Sequence, residues 1–241
     1  MDGDEDILEI MREIILDKES PLKKVDASNL EVPIANAMEG YILACSQSLS
    51  VVSTSIDKAR LSIEVLGASY KSLPDETQVT ADEFIEFAIE NYFIRSSAIY
   101  DRCLIFVNRL LDLGIANESI VHELIVTNDH VKKYGLNEKL KAIRKKCTEY
   151  RVQRNKIVHH GRYSEEVFNG ISAMHKINSW QKVSGEKPSF SDEIVDKMTH
   201  EFIDIQLDEF SAHLESIEAK VHELYELSLP IYQTKKNDLR Q

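Results

Sequence analysis

The chain has 241 residues and a formal net charge of −12, with 43% hydrophobic and 29% charged residues. That length supports one large core, or one domain with an appendage, without disulfide or metal staples, and the acidic balance argues against a general nucleic-acid coating protein. No stretch reaches the roughly 18 apolar residues of a membrane span, and the acidic start MDGDEDILEI is the reverse of a secretory leader, so the expectation is a soluble cytoplasmic protein.

The elements read as helices almost throughout. A first helix is expected over residues 4–17, and then DKESPLKKVDASNLEVP reads as a connector broken by Pro21 and Pro33. A second helix is expected over 34–66, where Met38, Ile42, Cys45, Leu49, Val52, Ile56, Ala59, Ile63 and Leu66 alternate spacings of four and three. Thr80 with Glu83 reads as a capping box for a third helix over 81–113. Its seam runs Ile85, Ile89, Tyr92, Ser96, Ile99, Cys103, Phe106, Leu110 and Leu113, with Gly114 as the stop. A short helix near 118–126 comes next. Asn137 reads as the cap of a fourth helix running unbroken to His160, with Gly161 just past its end. A shorter helix over 164–179 and the loop KVSGEKPSFSD precede a last helix over 191–229, which Pro230 ends. Its seam is Ile203, Leu207, Phe210, Leu214, Ile217, Val221 and Leu224, and QTKKNDLRQ reads as a frayed tail. The whole is an all-α bundle of long antiparallel helices. It divides into an N-terminal helical extension (1–72), a helical bundle (80–229) and a flexible tail (230–241).

Most chemical motifs are missing. Cys45, Cys103 and Cys147 are too few and too scattered for a zinc ribbon or a disulfide framework, and read as buried thiols in a reducing compartment. Glu118–His122, Glu209–His213 and Glu218–His222 are spaced i, i+4, where di-iron bundles use Glu-x-x-His. Such pairs ordinarily sit on a solvated helix face, so no metal site and no cofactor are expected. No glycine-rich phosphate loop and no GxSxG elbow occurs. The methionines and the single Trp180 read as packing groups.

The charge distribution is more informative than its total. Residues 131–162 carry eleven Lys/Arg against two Glu, a local +9 that leaves −21 for the remainder. The segment is either a solvated lysine face or an anion-binding stripe. It leads into YRVQRNKIVHHGRYSEE, residues 150–166. There Arg154 offers a fixed cation whose planar fork matches phosphate oxygens, and His159 or His160 can move a proton near neutrality. Asn155 and His159 are i, i+4 neighbours on one helix face. This is minimal equipment for cleaving RNA without a metal: a base for the 2′-hydroxyl, an acid for the leaving 5′-oxygen, and a cation for the phosphorane. One Arg and one His are too few for both proton transfers, and a twofold dimer would supply two sets. The plain alternative is that the histidines merely cap carbonyls at a helix end.

RNKIVHHG resembles the signature of HEPN domains, a small all-helical nucleotide-binding and ribonuclease superfamily, in which Arg and a polar residue precede a His after four to six intervening residues. YFIRSSAIYDRCLIFVNRLLDLG, residues 92–114, resembles the long first core helix of some members. The resemblance covers roughly residues 80–228. It implies a four-helix core that dimerises through the motif face, and metal-independent cleavage of single-stranded RNA that leaves a 2′,3′-cyclic phosphate. It further implies that Arg154 stabilises the phosphate, Asn155 positions it, and His159 (or His160) transfers the proton. Arg151, Lys156 and Arg162, with Lys145 and Lys146 upstream, would track the RNA backbone, and Tyr150 and Tyr163 would be the stacking rings. Many such domains are toxins or defence components, so an antitoxin or other regulatory protein is a further expected partner. The expectation is thus a homodimeric endoribonuclease. The alternatives are an inactive HEPN-fold module that binds RNA or protein, and a helical structural protein with an accidental motif match.

Overall fold

The apolar spacings of the sequence become helices almost everywhere they occur. The computed structural model describes residues 3–25, 31–68 and 79–240, with backbone only for 3–8 and His160; parts of both expected connectors, at 26–30 and 69–78, lie outside the described residues. The helices are α1 (Gly3–Ile15), α2 (Ala37–Gly67), α3 (Ala81–Leu110), α4 (His122–Val126), α5 (Asp129–Lys133), α6 (Leu136–Cys147), α7 (Arg151–His160), α8 (Glu166–Val183) and α9 (Asp192–Asp238). Short 3-10 turns stand at Pro21–Lys24 and Asn117–Ser119. The protein is all-α, with no strand among the described residues.

The chain divides into two units, each with its own core. The first comprises Met1–Ile56, Ala98–Glu149 and Ser216–Gln241. It buries Ile10 and Ile14 of α1, Ile42, Cys45 and Leu49 of α2, Cys103 and Phe106 of α3, and Val221 and Leu224 of α9. Tyr41 stacks on Tyr232 at 5.7 Å and donates its hydroxyl to the Leu110 carbonyl at 2.9 Å. The short helices α4, α5 and α6 pack on one another and bury Ile125, Val131, Leu140 and Ile143. Cys45, Cys103 and Cys147 are free and buried, and burial pushes the Cys45 and Cys147 thiols up to about 12.

The second unit, Asp57–Ser97 with Tyr150–Glu215, carries the Arg-Asn motif. Ile85, Ile89, Tyr92 and Phe93 of α3, Phe168 and Ile171 of α8, and Phe202, Phe210 and Leu214 of α9 are buried there. Tyr92 stacks on Phe210 at 4.3 Å. Its hydroxyl donates to the Phe210 carbonyl at 3.0 Å, so the Nδ1 of His213, 2.7 Å away, must be the donor to the tyrosine oxygen. His213 therefore faces the core, not a solvated surface with Glu209.

Several expectations about boundaries give way to tertiary packing. The helix expected from Asn137 to His160 is two helices separated by Thr148–Tyr150, and its cap residue is Gly135 at φ +70°, not Asn137. Neither glycine nor proline marks that break. Instead the Thr148 hydroxyl donates to the Arg144 carbonyl at 2.8 Å, and the Tyr150 ring packs 5.0 Å from Phe93 and 4.6 Å from His213. At the start of α3, Glu83 accepts from the Thr80 backbone N–H at 3.0 Å as a capping box requires, but the Thr80 hydroxyl donates to Asp82 at 2.7 Å. Glu118 lies in the 3-10 turn and His122 opens α4, so that pair shares no helix face. Helix α9 runs through Pro230 to Asp238, and the segment read as a frayed tail is bonded to the N-terminal part of the chain. Trp180, read as a packing group, is 68% exposed.

Candidate functional site

Helix α7 has the sequence RVQRNKIVHH, and of its described side chains only Ile157 is buried. A helix of this length gains little from propensity alone, so α7 is held by Ile157, by the ring of Tyr150 just before it and by its C-terminal stop. Gly161 supplies that stop at φ +90° and donates its N–H to the Ile157 carbonyl at 3.0 Å. A left-handed residue here is the ordinary business of glycine.

Arg154 is half-buried. Its Nη1 donates to the Asn155 side-chain oxygen at 3.1 Å, and its Nε is buried without a hydrogen-bond partner among the described residues. His159 is exposed in the last turn. Arg154 and His159 are five residues apart on one helix, which sets them about 140° apart around its axis. Within one chain the two do not converge, whereas Asn155 and His159 share a face. The side chain of His160 lies outside the described residues.

The basic residues fall into two groups. Arg151 and Lys156 are exposed on α7. Arg162 is exposed beside Glu86 in a recess of about 190 Å³. Burial, with Glu90 adding to it, raises the Glu86 carboxyl against the opposing pull of Arg162 and Lys176. Lys145 and Lys146 belong to α6 in the other unit, and Lys146 is paired with Glu149 at 2.8 Å. The basic run is therefore not one continuous helix leading into the motif. Tyr163 is buried, its N–H donated to Glu90 at 2.5 Å, so it presents no open stacking face.

Beside α7 lies a cavity of about 370 Å³ that the sequence did not announce. Its wall is an interlocked aromatic cluster: Phe93 lies 5.0 Å from Tyr150, 6.0 Å from Tyr163 and 5.3 Å from Phe210. Gln153 and Lys156 enter from α7, and Gln206 and Glu209 from α9. These residues are scattered through the sequence, and the local hints are two i, i+3 pairs, Gln153–Lys156 and Gln206–Glu209. Among the described residues no group of three or more His, Cys, Asp or Glu is placed to hold a metal ion, and no helix is long and apolar enough to cross a membrane.

Comparison with known families gives a match to the model of the Cthe2314-like HEPN family over residues 41–228. The match contains α7 and begins within α2, earlier than the stretch 80–228 that the motif resemblance covers. Neither the curated proteins nor the solved structures returned a match.

Proposed function

Because the chain belongs to the Cthe2314-like HEPN family, we propose that it is a metal-independent endoribonuclease that cuts single-stranded RNA as a homodimer. The matched span contains the motif, which supports this reading over an accidental match. The observation that carries the reading is the state of Arg154: a half-buried guanidinium whose Nε is buried and without a partner among the described residues, on a helix whose other described side chains, Asn155 and Ile157 apart, are exposed. A buried donor without an acceptor is costly, on the order of 1–3 kcal/mol, and that cost is relieved when the side chain turns outward to a phosphate oxygen, which takes up the donor in a charge-assisted bond.

The roles follow from geometry and chemistry. His159 of one copy takes the proton of the ribose 2′-hydroxyl. The 2′-oxygen attacks phosphorus, Arg154 stabilises the charge on the phosphorane, and Asn155 holds the Arg154 fork in place. The second copy's histidine protonates the departing 5′-oxygen, leaving a 2′,3′-cyclic phosphate and a 5′-hydroxyl. Because Arg154 and His159 diverge around α7, two copies of the helix facing each other supply a convergent set that one copy lacks. Arg151 and Lys156 flank the strand on the exposed face. A role in a toxin or defence system, with a regulatory protein partner, and a cytoplasmic location complete the proposal.

The test is cleavage of labelled single-stranded RNA with EDTA present. The unmodified protein is expected to cut, and His159→Ala and Arg154→Ala to cut about 10²–10⁴-fold more slowly. A second reading is a HEPN-fold module that binds RNA or protein without cutting. RNA bound but uncut by a well-folded dimer selects that reading.

A further inference from the structure

From the cavity beside α7 we infer that the second unit contains a base-recognition subsite selective for guanine, set next to the cut bond; this rests on the ribonuclease reading above. The cavity, about 370 Å³, is at the small end of ligand pockets, which run from about 300 to 1,000 Å³. It suits one nucleotide, not a run of them. Its wall is rigid, because Phe93 and Phe210, 5.3 Å apart, are both buried and pack together against Tyr150, Phe210 at 6.1 Å from that ring. A flat heterocycle entering here meets the half-buried Tyr150 ring, already held in place by its neighbours, the favourable case for stacking.

The polar groups at the mouth decide which base fits. Gln153 and Gln206 each offer a donor and an acceptor and discriminate weakly. Lys156 is a point cation at the rim, suited to the phosphate of the bound nucleotide. Glu165 is occupied, since its two oxygens accept the Val167 and Phe168 N–H groups at the start of α8, at 3.3 and 3.1 Å. Glu209 is the remaining carboxylate. One of its oxygens accepts the Tyr150 hydroxyl at 2.5 Å, which aims the carboxylate; that oxygen keeps a second lone pair and the other oxygen keeps both, so the carboxylate can receive two donors side by side. A carboxylate accepts hydrogen bonds only. It therefore selects a base edge bearing two adjacent N–H donors, and guanine, with N1–H beside its N2 amino group, is the RNA base that has one. Lys156 and His159 are neighbours at i, i+3 on α7, and the helix is only about 10 Å across. A strand crossing its exposed side can seat one base in the cavity while the adjoining phosphate lies over the motif.

The experiment is equilibrium binding of 5′-GMP, 5′-AMP, 5′-CMP, 5′-UMP and 5′-IMP to the full chain, followed by tyrosine fluorescence, beside the cleavage assay. GMP is expected to bind about tenfold more tightly than each of the others. IMP, which lacks only the 2-amino group, tests the carboxylate contact without any substitution. Glu209→Gln keeps an oxygen for the Tyr150 hydroxyl, so it is expected to fold with an unchanged thermal midpoint and to lose the margin of GMP over IMP. Equal binding of all five nucleotides, no binding of any, or a margin unchanged in Glu209→Gln overturns the subsite. Guanine-selective binding without RNA cleavage upholds the subsite and rejects the nuclease, whereas cleavage without base preference does the reverse.

Discussion

A charged group in this protein behaves according to what surrounds it, and Asp82 shows this most clearly. Its side chain is fully buried at the first turn of α3. Burial by itself raises its carboxyl, but hydrogen bonds from Ser172 at 2.6 Å and Thr80 at 2.7 Å, with Lys176 at 3.3 Å, outweigh that and hold it below the usual carboxylate value. A folded-state value below the unfolded one contributes stability that is present above the unfolded pKa, near 3.8, and is lost as pH falls through the folded one. Urea unfolding of Asp82→Asn at neutral pH is expected to show a loss of about 2–3 kcal/mol, because the ionic partner of Lys176 and the acceptor of one of the two hydroxyls are gone. The gap between variant and unmodified protein should narrow as pH falls below about 4. A gap that stays constant with pH would mean the carboxylate charge contributes nothing. Spacing and context made Arg154 and His159 stand out among ten arginines and eight histidines: the Asn directly after the Arg, and the basic segment leading into them. Nothing in the type of Glu209 or Asp82 distinguished either from the other carboxylates of an acidic chain.

At the scale of the elements, periodicity foretold the helices well and their ends poorly. The seam of α3 from Ile85 to Leu110 is buried at every predicted position, because a helix face is a local property of spacing. The ends of α9 and α6 were decided elsewhere. Pro230 lacks an N–H and ordinarily stops a helix, yet α9 continues because Ile231 and Tyr232 are buried beyond it. Tyr232 donates to Asp17 at 2.7 Å, Lys236 pairs with Asp17 at 2.6 Å and Glu19 at 2.8 Å, and Arg240 pairs with Glu19. All of these bonds lie outside residues 41–228, the span that matches the family, so they join the two segments that flank it. Burial raises the Asp17 carboxyl, but the bonds from Lys236 and Tyr232 more than reverse it, and the net effect is a lowered value. Lys236→Met is expected to lower stability by about 2 kcal/mol at neutral pH, since Asp17 is left in the core with one partner fewer. The deficit is present above the unfolded carboxylate value and fades as pH falls through the folded one. Thermal melts at neutral pH and at about pH 3 read both parts; equal midpoints at neutral pH would show that the end of α9 holds nothing.

At the scale of the whole molecule, charge alone suggested one basic stripe, and the fold divides it between the two units. Arg151 and Lys156 lie on the motif helix, whereas Lys145 and Lys146 belong to the other unit, where Lys146 already has a carboxylate partner. Binding to single-stranded RNA over a salt series should reflect this. Arg151→Ala with Lys156→Ala is expected to weaken binding and reduce the slope of log K against log salt by about 1.4, at about 0.7 for each phosphate no longer neutralised. Lys145→Ala with Lys146→Ala should leave the slope unchanged, and equal effects of the two pairs would restore the single stripe. The sequence by itself determined the all-α class and the HEPN family. Each of these rests on local spacing, and local spacing survives whatever the rest of the chain does. Only the tertiary structure decided that Arg154 has a buried Nε without a partner among the described residues, that Tyr150 divides two helices, and that Glu209 and Gln206 share a cavity with Phe93. Those facts depend on residues far apart in the chain meeting in space, and no window of sequence contains both partners.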